Sequence, residues 1–151
     1  LVRAAVWPKQ TAMSALLSDG QLLRHVQGET RRDRLYPLDA RGNNLHAVFS
    51  PCGRWLAAWT GFATVDLWDL SAAPRKVREL AAVHLAIGRD GTLFTAQAKP
   101  RDTIEVWRPG AAEPTLMATG QPVLGLALSA DGSTVAAAGD GVVVVLDAWT
   151  G

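Results

Sequence analysis

Phe49-Ser50-Pro51-Cys52-Gly53, then Trp55-Leu56-Ala57-Ala58-Trp59, then Val65-Asp66-Leu67-Trp68-Asp69 are the three phrases that decide the fold. The first ends an apolar strand, Leu45 to Phe49, in a tight turn. Proline pre-sets φ early in such a turn and glycine supplies the permissive backbone at its close. The second phrase reads as the return strand, with Ala57 and Ala58 small because sheets packed face to face leave little room between them. The third, Thr64 to Trp68, alternates β-branched or apolar residues with polar ones, as a half-buried strand does. Ala72 to Arg75 then turns the chain toward an outer strand at Val77 to Leu80, which completes a four-stranded unit.

The unit recurs. A third copy runs Ile87-Gly88-Arg89-Asp90-Gly91, Leu93-Phe94-Thr95-Ala96 and Thr103-Ile104-Glu105-Val106-Trp107-Arg108, with an outer strand at Thr115 to Ala118 after Pro109-Gly110 and Glu113-Pro114. A fourth runs Leu128-Ser129-Ala130-Asp131-Gly132, Val135-Ala136-Ala137-Ala138 and Val142 to Asp147. A weaker first copy comprises Val2 to Pro8, Ala15-Leu16-Leu17, and Asp19-Gly20 leading into Gln21 to His25. The turn glycines at 53, 91 and 132 lie 38 and 41 residues apart. His25, Trp68, Trp107 and Leu146, which hold one place in the repeat, lie 43, 39 and 39 apart. Two landmarks keeping one period imply stacked supersecondary units rather than a single folded-back core.

With Trp68-Asp69 closing its clearest copy, the repeat resembles a WD-repeat β-propeller blade over essentially the whole chain. The resemblance implies an all-β propeller arc of four blades in a single segment: blade 1 at about 1–38, blade 2 at 43–80, blade 3 at 82–118 and blade 4 at 121–151. Blade 4 has no outer strand, so fifteen strands are expected where four blades need sixteen. Propellers of this type close by pairing a strand from one terminus into the blade at the other, which removes exposed edges. Four blades would leave apolar end faces, and such faces bury themselves in a partner. The expectation is therefore a part of a larger ring, or two four-blade arcs meeting as a dimeric eight-bladed ring. The chain opens on Leu1, in keeping with a piece of a longer polypeptide.

The family signature is worn. Trp-Asp becomes Trp107-Arg108, Leu146-Asp147 and His25-Val26, and Gly120-Gln121 is the nearest remnant of the Gly-His pair. The turn Asp is matched by Asp19 and Asp140, displaced to Asp102 and replaced by Phe62. In the family this Asp joins the His and Trp in a buried hydrogen-bond network; no copy here carries the full set, so the blades are expected to rest on apolar packing. Ser-Pro-Asp-Gly propellers of prolyl-peptidase and periplasmic type share the first turn, but Trp68-Asp69 and Ile104 to Trp107 favour the WD type.

Composition narrows the function. A 48% hydrophobic and 19% charged content belongs to a folded globular chain. With 15 basic and 14 acidic side chains, no electrostatic case for nucleic acid or an anionic membrane arises. Arg31, Arg32 and Arg34 form the one dense basic group, read as a solvated loop around Asp33. No stretch reaches the roughly 18 apolar residues of a membrane span. No secretory signal is visible. Cys52 is the sole cysteine, which excludes an internal disulfide and leans toward a reducing, cytoplasmic compartment.

No nucleophile elbow, phosphate-cradling loop or His-Glu-x-x-His helix occurs, so no catalytic residue is assigned and no enzyme is expected. His46 and His84 hold equivalent places in neighbouring innermost strands; as neutral imidazoles they would suit zinc or copper, but no third ligand matches, and neither a metal nor another cofactor is expected. Asp66 with Asp69, and Glu105 with Asp102, read as solvated strand charges rather than a proton-sharing pair, and Cys52 as an exposed, tolerated turn residue. What the resemblance implies is binding. WD-repeat proteins hold peptide or protein partners on blade loops, and one face here would display Asn43, Asn44, Trp59, Phe62, Lys99, Arg101, Gln121 and Asp140. Trp59, Phe62 and Arg101 are the side chains most like binding hot spots. The expected function is a non-catalytic interaction scaffold or sensing module. The alternatives are an accessory propeller of a larger kinase, NTPase or protease, and a half-propeller that self-assembles with a second copy.

Overall fold

The computed structural model describes residues 2–9, 12–17, 20–26, 28–35, 45–60, 64–99 and 101–150. Fifteen strands and no helix occur among them. They form four antiparallel sheets, each laid down in chain order, so every connection inside a sheet is a hairpin. The first sheet holds β1 (Val2–Lys9), β2 (Ala12–Leu17), β3 (Gln21–Val26) and β4 (Glu29–Arg34). The second holds β5 (Leu45–Phe49), β6 (Trp55–Thr60), β7 (Thr64–Asp69) and β8 (Arg75–Ala81). The third holds β9 (His84–Ile87), β10 (Leu93–Ala96), β11 (Thr103–Trp107) and β12 (Thr115–Ala118). The fourth has only β13 (Gly125–Leu128), β14 (Thr134–Ala138) and β15 (Val143–Asp147), as the missing outer strand of the last repeat requires. The chain divides into two compact units, Leu1–Leu80 and Ala81–Gly151, each built of two sheets.

Turn chemistry sets the register. Ser50 N donates to Trp55 O and Gly53 N to Ser50 O, both at 2.9 Å, and Ser129 N and Gly132 N repeat the pattern onto Thr134 O and Ser129 O. Gly53 and Gly132 adopt φ of 73° and 77°, a left-handed backbone that side chains disfavour. In the third sheet the turn is one residue shorter, closing from Gly88 N to Thr92 O at 2.8 Å. Asp90 replaces the serine hydroxyl there, accepting Thr92 N at 3.0 Å and Thr92 Oγ1 at 2.8 Å. A Cβ at Gly88 would come within 2.9 Å of Asp90 Oδ1, so the substitution of serine by glycine and the carboxylate go together. The shorter turn keeps the later strands in step. Trp68 pairs with Leu56, Trp107 with Leu93, Leu146 with Val135, and His25 with Met13.

Alternation assigns the faces. In the first unit, Leu16, Leu22, Phe49, Leu56, Ala58 and Leu70 form one buried cluster shared by its two sheets. Arg24 takes the place on β3 that Val106 holds on β11, and its guanidinium crosses to the second sheet. It donates to Leu70 O at 3.0 Å and Ala72 O at 2.7 Å, and pairs with Asp33 at 2.8 Å. Arg31 also donates to Asp33, at 3.0 Å, so the basic group lies on strand β4 and not in a loop. In the second unit, Phe94, Ala96, Ile104 and Val106 of the third sheet share a cluster with Val135 and Ala137 of the fourth.

The fourth sheet has a different far face. By register Val143 and Val145 correspond to Ile104 and Val106, because Val143 pairs with Ala138 as Ile104 pairs with Ala96. Ile104 and Val106 are 0% and 2% exposed, whereas Val143 and Val145 are 62% and 63% exposed. Chemistry is the same and burial is opposite, so their energetic roles separate. Ile104→Ala is expected to cost about 2–5 kcal/mol in urea unfolding through lost burial and a residual cavity. Val143→Ala is expected to change stability by under about 0.5 kcal/mol in the same measurement.

Candidate interaction site

Asn43, Asn44 and Phe62 lie outside the described residues. Trp59 sits near the end of β6, half-buried, directly across from His46 of β5. The two rings stack at 5.3 Å with an interplanar angle of 19°. Trp59 is thus tied into its own sheet, and His46 is an aromatic partner.

In the second unit the loops fall together. Lys99 and Arg101 are exposed on the connection from β10 to β11. That connection is pinned: Arg101 Nε donates to Ala98 O at 3.1 Å, Val123 N to Arg101 O at 2.7 Å, and Thr119 N to Asp102 O at 2.8 Å. Gln121 is half-buried; its carbonyl accepts Thr119 Oγ1 at 2.7 Å and its side-chain nitrogen reaches Val142 O at 3.4 Å. Asp140 is exposed in the turn that Gly139 N closes onto Val142 O at 2.9 Å. A Cβ at Gly139 would collide with the Pro122 carbonyl oxygen, so only glycine permits this approach. Arg101, Gln121 and Asp140 therefore occupy neighbouring segments that hydrogen bonds hold in place, with Lys99 beside them.

Glu105, Asp66 and Asp69 are not solvated strand charges, whereas Asp102 is exposed just before β11. Glu105 is half-buried and collects three donors: Gln97 Nε2 at 2.5 Å on Oε1, with Trp107 Nε1 at 3.1 Å and Thr95 Oγ1 at 3.3 Å on Oε2. Alternation places Thr95 opposite Glu105 and puts Trp107 two residues along the same face. In this sheet the acceptor for the tryptophan lies on the tryptophan's own strand. A Glu two before a Trp, opposite a Thr, was the legible signal. Asp66, the equivalent of Glu105 in the second sheet, instead pairs with Lys76 of β8 at 3.2 Å. Asp69 is buried and receives Arg54 Nη2 at 3.2 Å and Ser71 N at 2.9 Å. Burial pushes its carboxyl up, and the hydrogen bonds from Arg54 and Ser71 with the Arg54 charge outweigh this and bring it down to about 2. Cys52 is half-buried, its Sγ 3.4 Å from Ser50 Oγ, so the turn folds over it.

These sheets and loops have counterparts among solved structures. The chain is similar to Kluyveromyces lactis Hsv2, with a TM-score of 0.73 and 13% identity, over 97% of this chain and 48% of that one. It is also similar to a KlHsv2 with loop 6CD replaced by a Gly-Ser linker, at 0.70 and 13%, over 93% and 47%. Kluyveromyces marxianus Hsv2 matches at 0.67 and 9%, over 93% and 44%. At such identities the likeness is one of fold, and the fold is an all-β, partial β-propeller. The chain spans about half the length of the structures it matches. No protein-family model matches the sequence, and no curated protein does.

Three donors converge on Glu105, and a carboxylate only accepts. Glu105→Gln turns an amide donor toward at least one of them, so urea unfolding is expected to show a loss of about 1–3 kcal/mol. Near-ultraviolet circular dichroism is expected to report a changed environment around Trp107.

Proposed function

We propose that the chain is a non-catalytic interaction module of WD-repeat type, a single propeller segment within a larger propeller, that binds peptide or protein partners on its blade loops. The observation that carries this reading is the pinned loop cluster of Arg101, Gln121 and Asp140 with exposed Lys99. Charged side chains presented on a backbone already fixed lose little conformational freedom when a partner docks. The shared register of His25, Trp68, Trp107 and Leu146 supports the WD type, as does a tryptophan-centred hydrogen-bond network in the third blade. A cytoplasmic setting belongs to the same proposal. Among the described residues no helix is long and apolar enough to cross a membrane.

The test is selection of peptides from a random displayed library on the immobilised chain, followed by titration of each binder. Lys99→Glu with Arg101→Glu is expected to weaken the selected peptides by at least about tenfold, as charge reversal at a contact does. Binders indifferent to both substitutions would sink the loop assignment.

The exposed Val143 and Val145 on β15, the edge strand of its sheet, favour a second reading, association with another copy or further blades. Its expected outcome is a light-scattering mass near twice 16.1 kDa that falls to the monomer value in Val143→Lys, Val145→Lys.

A further inference from the structure

At the end of the second unit opposite Lys99, Arg101 and Asp140, the turns after β9 and β13 and the segment after β15 enclose a cavity of about 250 Å3. Its interior is apolar. Phe94 and Ala148 are buried and Leu128 is half-buried beside them. Trp149 lines the same space yet is 61% exposed, the most conspicuous aromatic surface in this unit. It is not loosely held. Asp147 Oδ1 accepts Trp149 N at 2.9 Å, Thr150 N at 2.8 Å and Thr150 Oγ1 at 3.0 Å, and Ala148 N donates to Ser133 O at 2.8 Å. The Arg108 guanidinium lies 5.5 Å from the Trp149 ring centre, a cation–π contact that further fixes the indole.

Size favours a side chain over a cofactor. Pockets for drug-sized ligands run to about 300–1,000 Å3, and this smaller one suits a single large side chain. Charge decides what stands beside that side chain. Asp90, Asp131 and Arg89 line the cavity and Arg108 stands on the Trp149 ring, so the ionised side chains balance; Asp90 gives both oxygens to Thr92, and Asp131 is the carboxylate left to meet a cation. Asp131 spends one oxygen on its own turn: Oδ1 takes Ser129 Oγ at 2.6 Å, Ser133 Oγ at 2.9 Å and Ser133 N at 3.0 Å. Its Oδ2 is open to a donor from a ligand. The Ser129 hydroxyl and the Ser133 bonds bring this carboxyl down to about 2, so it is ionised at any physiological pH.

We propose that this cavity is a second binding site, one that takes a large apolar side chain of a peptide with a lysine or arginine beside it. The apolar side chain enters between Phe94, Leu128 and Trp149, and the neighbouring cation meets Asp131. The inference rests on the reading of the chain as a peptide-binding module, but uses the opposite end of the blades.

The experiment is fluorescence anisotropy of a labelled Gly/Ser decapeptide carrying one central Phe-Lys pair, titrated with the full chain. Saturable binding is expected, weakened by at least about tenfold when the peptide's Phe becomes Ser, and severalfold when its Lys becomes Glu. Trp149→Ala and Trp149→Lys should each cost at least about tenfold, and both spare the fold because the indole is largely outside the core. Circular dichroism checks this. Lys99→Glu with Arg101→Glu should leave the affinity unchanged. Absence of saturable binding up to about millimolar chain overturns the proposal, as does binding indifferent to both Trp149 variants. Loss with the Lys99 and Arg101 variant but not with Trp149→Ala would overturn this site while supporting the loop reading. Loss with Trp149→Ala alone would support this site against it.

Discussion

A short antiparallel sheet whose faces are both apolar cannot stand alone in water, and everything else in this chain follows from that. Each of the third and fourth sheets supplies one face to a common cluster in which Phe94, Ile104 and Val106 meet Val135 and Ala137. Burial of this kind contributes about 25 cal/mol per Å2 of apolar surface, and it is available only while the two sheets stay in contact. The alanines on the second strands follow from the same requirement, since Ala57, Ala58, Ala96 and Ala137 are all fully buried. Larger side chains there would hold the sheets apart.

The same constraint leaves its mark where it is not met. Val143 and Val145 carry the pattern of a buried strand and are exposed, on a strand whose outer neighbour is absent from its sheet. Polar groups are arranged with more variety than the apolar ones. At equivalent places in the repeat, Glu105 gathers three donors and Asp66 pairs with a lysine from β8. Arg24 stands where the second and third repeats have Leu67 and Val106, and it bridges to backbone carbonyls that follow β7. Each solution satisfies a partly buried charge locally, as burial demands. The repeats can therefore differ in their polar residues and keep one geometry.

Function in such a fold sits at the strand ends, where loops are free to vary while the sheets hold them in position. The second unit offers two ends of different character. One presents Lys99, Arg101 and Asp140 on a pinned polar backbone, and the other presents Trp149 over an apolar cavity. Asp90 and Asp131 act as turn residues first: Asp90 gives both oxygens to Thr92, whereas the bonds of Asp131 gather on Oδ1.

The repeat period, and among the described residues the fifteen strands and the three-stranded last sheet, were all legible in the sequence. They depend on local rules: alternation along a strand, glycine where φ is positive, proline in a turn. The cavity under Trp149, the acceptor role of Glu105, the strand placement of Arg31 and the stacking of Trp59 on His46 were not. Each depends on which side chains two strands or two turns bring face to face, and a shift of one residue, such as the shortened Gly88 turn, changes those partners without changing the pattern. Local backbone preference was thus determined by the sequence alone, whereas the pairing of charges, the depth of each aromatic ring and the opening of the cavity were decided by tertiary contact, because they are properties of the space between elements.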